Sequence, residues 1–188
     1  MATSKLFDII SARVFLNSLE IEINRYKLDK EKSAGQLLYI IMGLNHLREW
    51  ISEGYTHYNR KKGITEDNRP PQKSSEYFYE IIWNQESFRI INELCNFSKH
   101  HEEGKKFLVR ETESIHIKNV DEWEKVSDAL NFGDGPVKQY LVNGKDIIEI
   151  LEEVLKYYQK EWFANENKSR LEKIYQEINK QQFIKSSF

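Results

Sequence analysis

Between Ser33 and Glu53 the chain carries Leu37, Leu38, Ile40, Ile41, Met42, Leu44 and Leu47, so a helix there is apolar on nearly every side. Such a helix has to be surrounded by other elements, which makes a bundle with this segment at its centre the expected architecture. The run falls short of the roughly 20 uninterrupted apolar residues of a membrane span. Asn45, His46, Arg48 and Glu49 interrupt its C-terminal half, and polar groups in a packed helix require partners.

Three more segments read as helices that can cover it. From about Ser4 to Lys27, Leu6, Ile9, Ile10, Val14, Leu16, Leu19 and Ile23 recur near the 3.6-residue period. A third helix starts at Ser74 or Ser75 and runs to about His101, with a break signalled at Asn84, a good cap residue. It sets Trp83, Ile90, Ile91, Leu94, Cys95 and Phe97 on one face and Arg89, Glu93, Asn96 and His100 on another. Asp146, with a carboxylate at Glu149, opens a fourth helix through Ile147, Ile150, Leu151, Val154, Leu155, Tyr158 and Trp162. The tail 165–188 keeps Leu171, Ile174, Tyr175 and Ile178 at helical spacing and reads as a docking helix or a frayed end.

Between the second and third helices, residues 54–73 form a loop of about twenty residues that starts at Gly54 and contains Gly63 and Pro70-Pro71. Loops of that length in a compact domain are functional or mobile. Phe107-Leu108-Val109 and Ile115-His116-Ile117 have the β-branched character of short strands. Tyr140-Leu141-Val142 followed by Asn143-Gly144 predicts a tight reversal.

The 188 residues suit one domain spanning 1–188, with enough apolar and aromatic content to form a core without disulfides. A net charge of −2 argues against an overall electrostatic affinity for nucleic acid. Cys95 is the single cysteine, so no intramolecular disulfide is available. The N-terminal residues lack a signal-peptide core. Together these predict a cytoplasmic protein with no membrane partner.

Two polar clusters carry the functional expectations. In Asn96-Phe97-Ser98-Lys99-His100, an imidazole beside an amide and an ammonium has the groups to move a proton or orient a phosphate, so His100 and Asn96 are the catalytic candidates and Lys99 and Glu93 binding candidates. The alternative is a solvated helix end, where the dipole favours cations anyway. In Asn45-His46-Leu47-Arg48-Glu49-Trp50, His46, Arg48 and Glu49 are binding candidates. The structural alternative there pairs Arg48 with Glu20 or Glu22 of the first helix. Parallel or steeply crossed packing of the second and third helices would bring His46 and Glu49 toward Asn96 and His100, whereas antiparallel packing would separate the two C-terminal ends. His46 and Glu49 also have the i, i+3 spacing of bundle metal sites, with His100, His101 and Glu102 as further donors, but a second Glu-x-x-His unit is absent. No cofactor is expected. Cys95 falls on the apolar side of its helix, where a thiol is inert.

On His46-Leu47-Arg48-Glu49-Trp50 and Asn96-Phe97-Ser98-Lys99-His100, the chain resembles an uncharacterised group of bacterial and phage-associated helical proteins. These carry a His-Leu-x-Asp/Glu-Trp segment and a later Asn-x-x-Lys-His segment, followed by a β-hairpin and a terminal helix. More distantly it is similar to the HEPN superfamily of helical bundles, whose nuclease members use an Arg, a four-to-six-residue spacing and a His. That likeness implies a metal-independent ribonuclease acting through Asn96 and His100. Here the position five before His100 is Cys95, so a catalytic arginine would have to come from elsewhere, such as Arg13 or Arg48.

The expectation is a mainly α protein: a helical bundle of four to five helices with a small β-hairpin before the last major helix. It is expected to act as a binding or interaction module linked to mobile-element or phage-defence biology, as a homodimer with a protein or RNA partner. The ribonuclease and the metal-binding bundle are the alternatives.

Overall fold

A computed structural model describes residues 11–29, 32–99, 125–126, 137–138, 140–142, 145–164 and 168–185. The chain is mainly helical, with a small antiparallel hairpin ahead of its last helices. Its helices are α1 (Ala12–Leu28), α2 (Ala34–Ile51), α3 (Ser74–Ile82), α4 (Glu86–Lys99), α5 (Ile147–Tyr157) and α6 (Leu171–Lys185). The strands are β1 (Lys125–Val126), β2 (Val137–Lys138), β3 (Leu141–Val142) and β4 (Lys145–Asp146). β1 pairs antiparallel with β2, and β3 with β4 in the register Leu141↔Asp146 and Val142↔Lys145. The runs 107–109 and 115–117 lie outside the described residues.

Local chemistry sets most boundaries. The Ser11 hydroxyl accepts from the Val14 N–H at 3.2 Å and the Ser33 hydroxyl from the Gln36 N–H at 3.3 Å, each satisfying an orphan donor of a first turn. At the end of α1, Lys32 turns inward and donates to the carbonyls of Tyr26 and Lys27, so a buried ammonium closes the short link to α2. Burial pushes the Lys32 ammonium below its ordinary pKa. Gly54 ends the α2 segment with a φ of 75°. The break foreseen at Asn84 separates α3 from α4, where the N–H groups of Asn84 and Gln85 donate to the carbonyls of Ile81 and Ile82 at 3.0 Å. Asp146 caps α5 by accepting from the Ile148 N–H at 2.8 Å. Beyond Tyr157 the helix widens into a π-helical turn, Tyr158–Phe163, where the Ala164 N–H reaches back to the Gln159 carbonyl at 2.9 Å.

α2 is the centre of the bundle. Ile40, Leu44 and Leu47 are fully enclosed, with Leu16, Leu19 and Ile23 of α1 and Ile150 and Leu151 of α5 in the same core. The Tyr158 hydroxyl donates to the Leu44 carbonyl at 2.9 Å, tying the π-helical turn to α2. Phe78 of α3 packs among Tyr157, Tyr158 and Trp162, with centroids 5.5–6.1 Å away. The tail docks as a helix: Leu171 is fully buried, and Tyr175 meets Tyr77 of α3 at 5.5 Å.

α1 and α2 approach closely at Gly43, where an added Cβ would sit 2.3 Å from Cδ2 of buried Leu19. Gly43→Val is therefore expected to destabilise the fold by roughly 1–3 kcal/mol through overpacking. In a double-mutant cycle followed by urea denaturation, Leu19→Ala should recover part of that loss, and strict additivity of the two changes would contradict the close approach.

Candidate functional site

Arg48 and Asn45 lie three positions apart on the face of α2 that meets α4. The Asn45 amide donates to the Cys95 thiol at 3.4 Å, and Arg48 Nη2 donates to Asn92 Oδ1 at 3.3 Å. These two contacts run in opposite directions along the two helices, so α2 and α4 are antiparallel. In this register α4 runs from Cys95 toward Lys99 as α2 runs back from Asn45 toward its N-terminus, so the Asn96 motif and the His46–Trp50 segment extend away from each other. What joins α2 to α4 is a buried layer of Asn45, Arg48, Asn92 and Cys95, not a pairing of His46 and Glu49 with Asn96.

Arg48 is 6% exposed and, among the described residues, has no carboxylate partner. Its guanidinium carbon lies 4.9 Å from the ring centre of Tyr79, 4.5 Å from Trp83 and 5.2 Å from Phe88. Three aromatic faces thus supply the negative electrostatic surface that an acid would otherwise provide. Nε and Nη1 are buried with no hydrogen-bond partner among the described residues. The pairing with Glu20 or Glu22 is not what forms. Glu22 is taken by Arg25 at 2.6 Å and Gln36 at 3.1 Å, and Arg48 points instead at the α3 and α4 side of the bundle. The physical reason is that α1 and α4 pack on different faces of α2.

The other sequence candidates are distributed around this layer. His46 Nδ1 and Glu49 Oε2 bond one another at 2.8 Å on the solvent side of α2. Asn96 is exposed, next in sequence to the buried Cys95. Glu93 is half-buried, and burial raises its carboxyl pKa, an effect that Arg89 partly opposes. The side chain of Lys99 and the whole of His100 lie outside the described residues, as does His101. Among the described residues, no group of three or more His, Cys, Asp or Glu side chains is placed to hold a metal ion.

Residues 54–73 are tied down by two buried acids and one amide. Glu80 accepts from the Tyr55 hydroxyl at 2.7 Å and the Tyr58 N–H at 2.8 Å, and its other oxygen lies 3.0 Å from His57 Nδ1. Burial, reinforced by Glu80, raises the Tyr55 phenol pKa and keeps it a donor. Glu76 accepts two bonds from Arg69 at 2.6 and 2.9 Å, with the Gln72 N–H adding a third at 2.7 Å. Asn68 bridges Asn59 and Gly63 across the loop. In this arrangement Tyr55 meets Tyr79 edge-on at 5.3 Å and His57 meets Trp83 at 5.2 Å, so the loop packs on two of the three rings around Arg48.

Arg48 is legible in the sequence as a buried polar residue, whereas Asn92, Tyr79, Trp83 and Phe88 as its surroundings, and Glu76 and Glu80 as the clamps of the loop, are not. The acids give no such signal: four residues apart, Glu76 and Glu80 share the side of α3 roughly opposite Phe78, Ile81 and Ile82, so by period they read as a solvent-facing polar face, and only the packing of the loop buries them. Among the described residues no helix is long and apolar enough to cross a membrane. Comparison of the chain with known protein families, with curated proteins and with solved structures returns no match.

Proposed function

We propose that the protein is a binding module whose α2 face docks on a second copy of the chain. The observation that carries this reading is an exposed stripe on an otherwise buried helix. Leu38, Tyr39 and Trp50 are 37%, 46% and 40% exposed, and they lie on one side of α2 with half-buried Met42 and the His46–Glu49 pair. Large exposed apolar groups gathered on one face mark an interaction surface more often than scattered ones do. The order along the stripe also suits a two-fold axis: aromatic residues stand at both ends, with Met42 and His46 near the middle. Antiparallel pairing about that centre would set Tyr39 of one copy against Trp50 of the other, which is the self-complementarity an isologous interface needs. Trp50 is already braced by Phe15 at 5.1 Å, so little ordering entropy remains to be lost on docking.

Light scattering at tens of micromolar should give twice the 22.5 kDa chain mass. Tyr39→Glu with Trp50→Glu should reduce it to the single-chain value without loss of helicity. A monodisperse wild-type monomer at that concentration would end the proposal. A ribonuclease reading draws less support from the arginines considered for it. Arg48 is enclosed by aromatic rings, and exposed Arg13 donates to the Phe163 carbonyl at 2.6 Å and lies over the Phe163 ring.

A further inference from the structure

Bonds from within fix the far end of the 54–73 loop. Its centre is the buried Asn68, whose amide accepts from the Asn59 N–H at 2.8 Å and donates to the carbonyls of Asn59, at 2.9 Å, and Gly63. Thr65 and Asn68 exchange backbone bonds at 3.0 and 3.3 Å, and the Thr56 hydroxyl donates to the Asp67 carbonyl at 2.6 Å. The Asn59 side chain accepts from the Lys61 N–H at 3.0 Å and so caps the 3₁₀ turn Arg60–Lys62. A long loop held this firmly usually serves what it displays.

What it displays is a run of cations. Arg60, Lys61 and Lys62 are all exposed, flanked by half-buried Tyr58 and exposed Ile64. Among the described residues none of the three has a carboxylate at ion-pairing distance, Glu66 and Asp67 of the same loop included. Adjacent like charges repel one another, so the run opposes the loop's own packing instead of serving it. The net charge of −2 belongs to the whole chain. A ligand at the loop senses charges within about 8–10 Å, beyond which salt screens them.

The shape of the turn narrows the choice of polyanion. At three residues per turn successive side chains fan out around the axis, so the cations suit a flexible chain of charges that can bend about them. A flat anionic bilayer would meet exposed Glu66 and Asp67, two and three residues beyond Ile64, together with the cations. We propose that this loop binds single-stranded nucleic acid, with Arg60, Lys61 and Lys62 on the phosphodiester backbone and Tyr58 and Ile64 offering apolar contact to unstacked bases. Because the tip is already ordered, little entropy is lost in presenting the cations.

Fluorescence anisotropy of the full chain tests this with labelled single-stranded RNA and DNA of one mixed sequence, each about 12 nucleotides long, a length in the range of single-strand binding sites. Both should saturate at low salt. Three phosphates neutralised on a single strand give a slope of log affinity against log salt of about −2, which is about twentyfold weaker binding at 200 mM than at 50 mM salt. The variant Arg60→Gln, Lys61→Gln, Lys62→Gln should bind at least tenfold more weakly and with a flatter slope. The variant Lys168→Gln, Lys173→Gln, Lys180→Gln removes the same charge from exposed positions elsewhere and should weaken binding less than about threefold. The substituted side chains are all exposed, so both variants are expected to fold, and circular dichroism checks this. Absence of saturable binding, equal affinity in the wild type and the loop variant, or an equal loss in the two variants would each overturn the proposal. So would tighter binding to phosphatidylserine vesicles than to either oligonucleotide, or a preference between RNA and DNA of more than about tenfold, which backbone contacts do not give.

Discussion

Replacing Arg48 by glutamate is expected to cost about 4 kcal/mol or more of folding stability, whereas replacing it by methionine is expected to change stability by less than about 1 kcal/mol. The contrast follows from the surroundings of the side chain. A desolvated cation over an aromatic face gains about 2 kcal/mol or more, and three rings lie within 5.2 Å of this guanidinium. Against that stands the cost of burying an ion whose Nε and Nη1 have no hydrogen-bond partner among the described residues, several kcal/mol by itself. The two contributions are of similar size and opposite sign. Methionine removes both together, fills much of the same volume and makes favourable sulfur–aromatic contacts. Glutamate keeps the burial cost and turns the ring quadrupoles from attractive to repulsive. Urea denaturation at neutral pH measures all three proteins. If methionine proved as damaging as glutamate, the balance drawn here would be wrong and Arg48 would have a compensating anion.

Acid is expected to loosen the protein through Glu76. Two bonds from Arg69, together with the N–H groups of Gln72 and Lys73, bring the Glu76 carboxyl down to about 2 from an ordinary 4.5. A group with a depressed folded pKa contributes its full stabilisation above its unfolded value, here about 4.5, and loses it as pH falls toward 2. A shift of this size corresponds to at most about 3 kcal/mol, and because the Arg69 side chain is 31% exposed, screening brings the expected value to about 2 kcal/mol. The bonds join the end of the 54–73 loop to the first turn of α3, so the loop is expected to respond first. The stability of the wild type should fall between pH 5 and pH 2.5 by about 2 kcal/mol more than that of Glu76→Gln, whose side chain does not ionise. Parallel pH profiles for the two proteins would refute the assignment. At neutral pH, hydrogen exchange in the loop should be faster in the variant, with the α2 core little changed.

The helices were legible because their signals are local. Ser33, Asp146 and Gly54 act on backbone groups within a turn of themselves, and the apolar period of 147–162 needs no knowledge of what lies opposite. The break at Asn84 and the docking of the tail through Leu171 were open to reading for the same reason. The π-helical turn at Tyr158–Phe163 was not, since its apolar spacing passes for an ordinary α-helix. The 54–73 loop has turn residues and charges but no period, so nothing in it shows that Glu76 and Glu80, from the following helix, hold it in place.

The candidate site divides along the same line. That Arg48 lies within an apolar helix, and therefore requires a partner, is written in residues 34–51 alone. Which partner it finds depends on the side of α2 that α1, α3 and α4 occupy, and that is set by the summed fit of faces from distant parts of the chain. Glu22 was an equally reasonable choice by charge, but side chains reach only a few ångströms, and the antiparallel packing of α2 on α4 put Asn92, Trp83 and Phe88 within that reach instead. Propensity and period act over one or two turns and so are carried by the sequence. Partnership between remote residues exists only once the helices have packed.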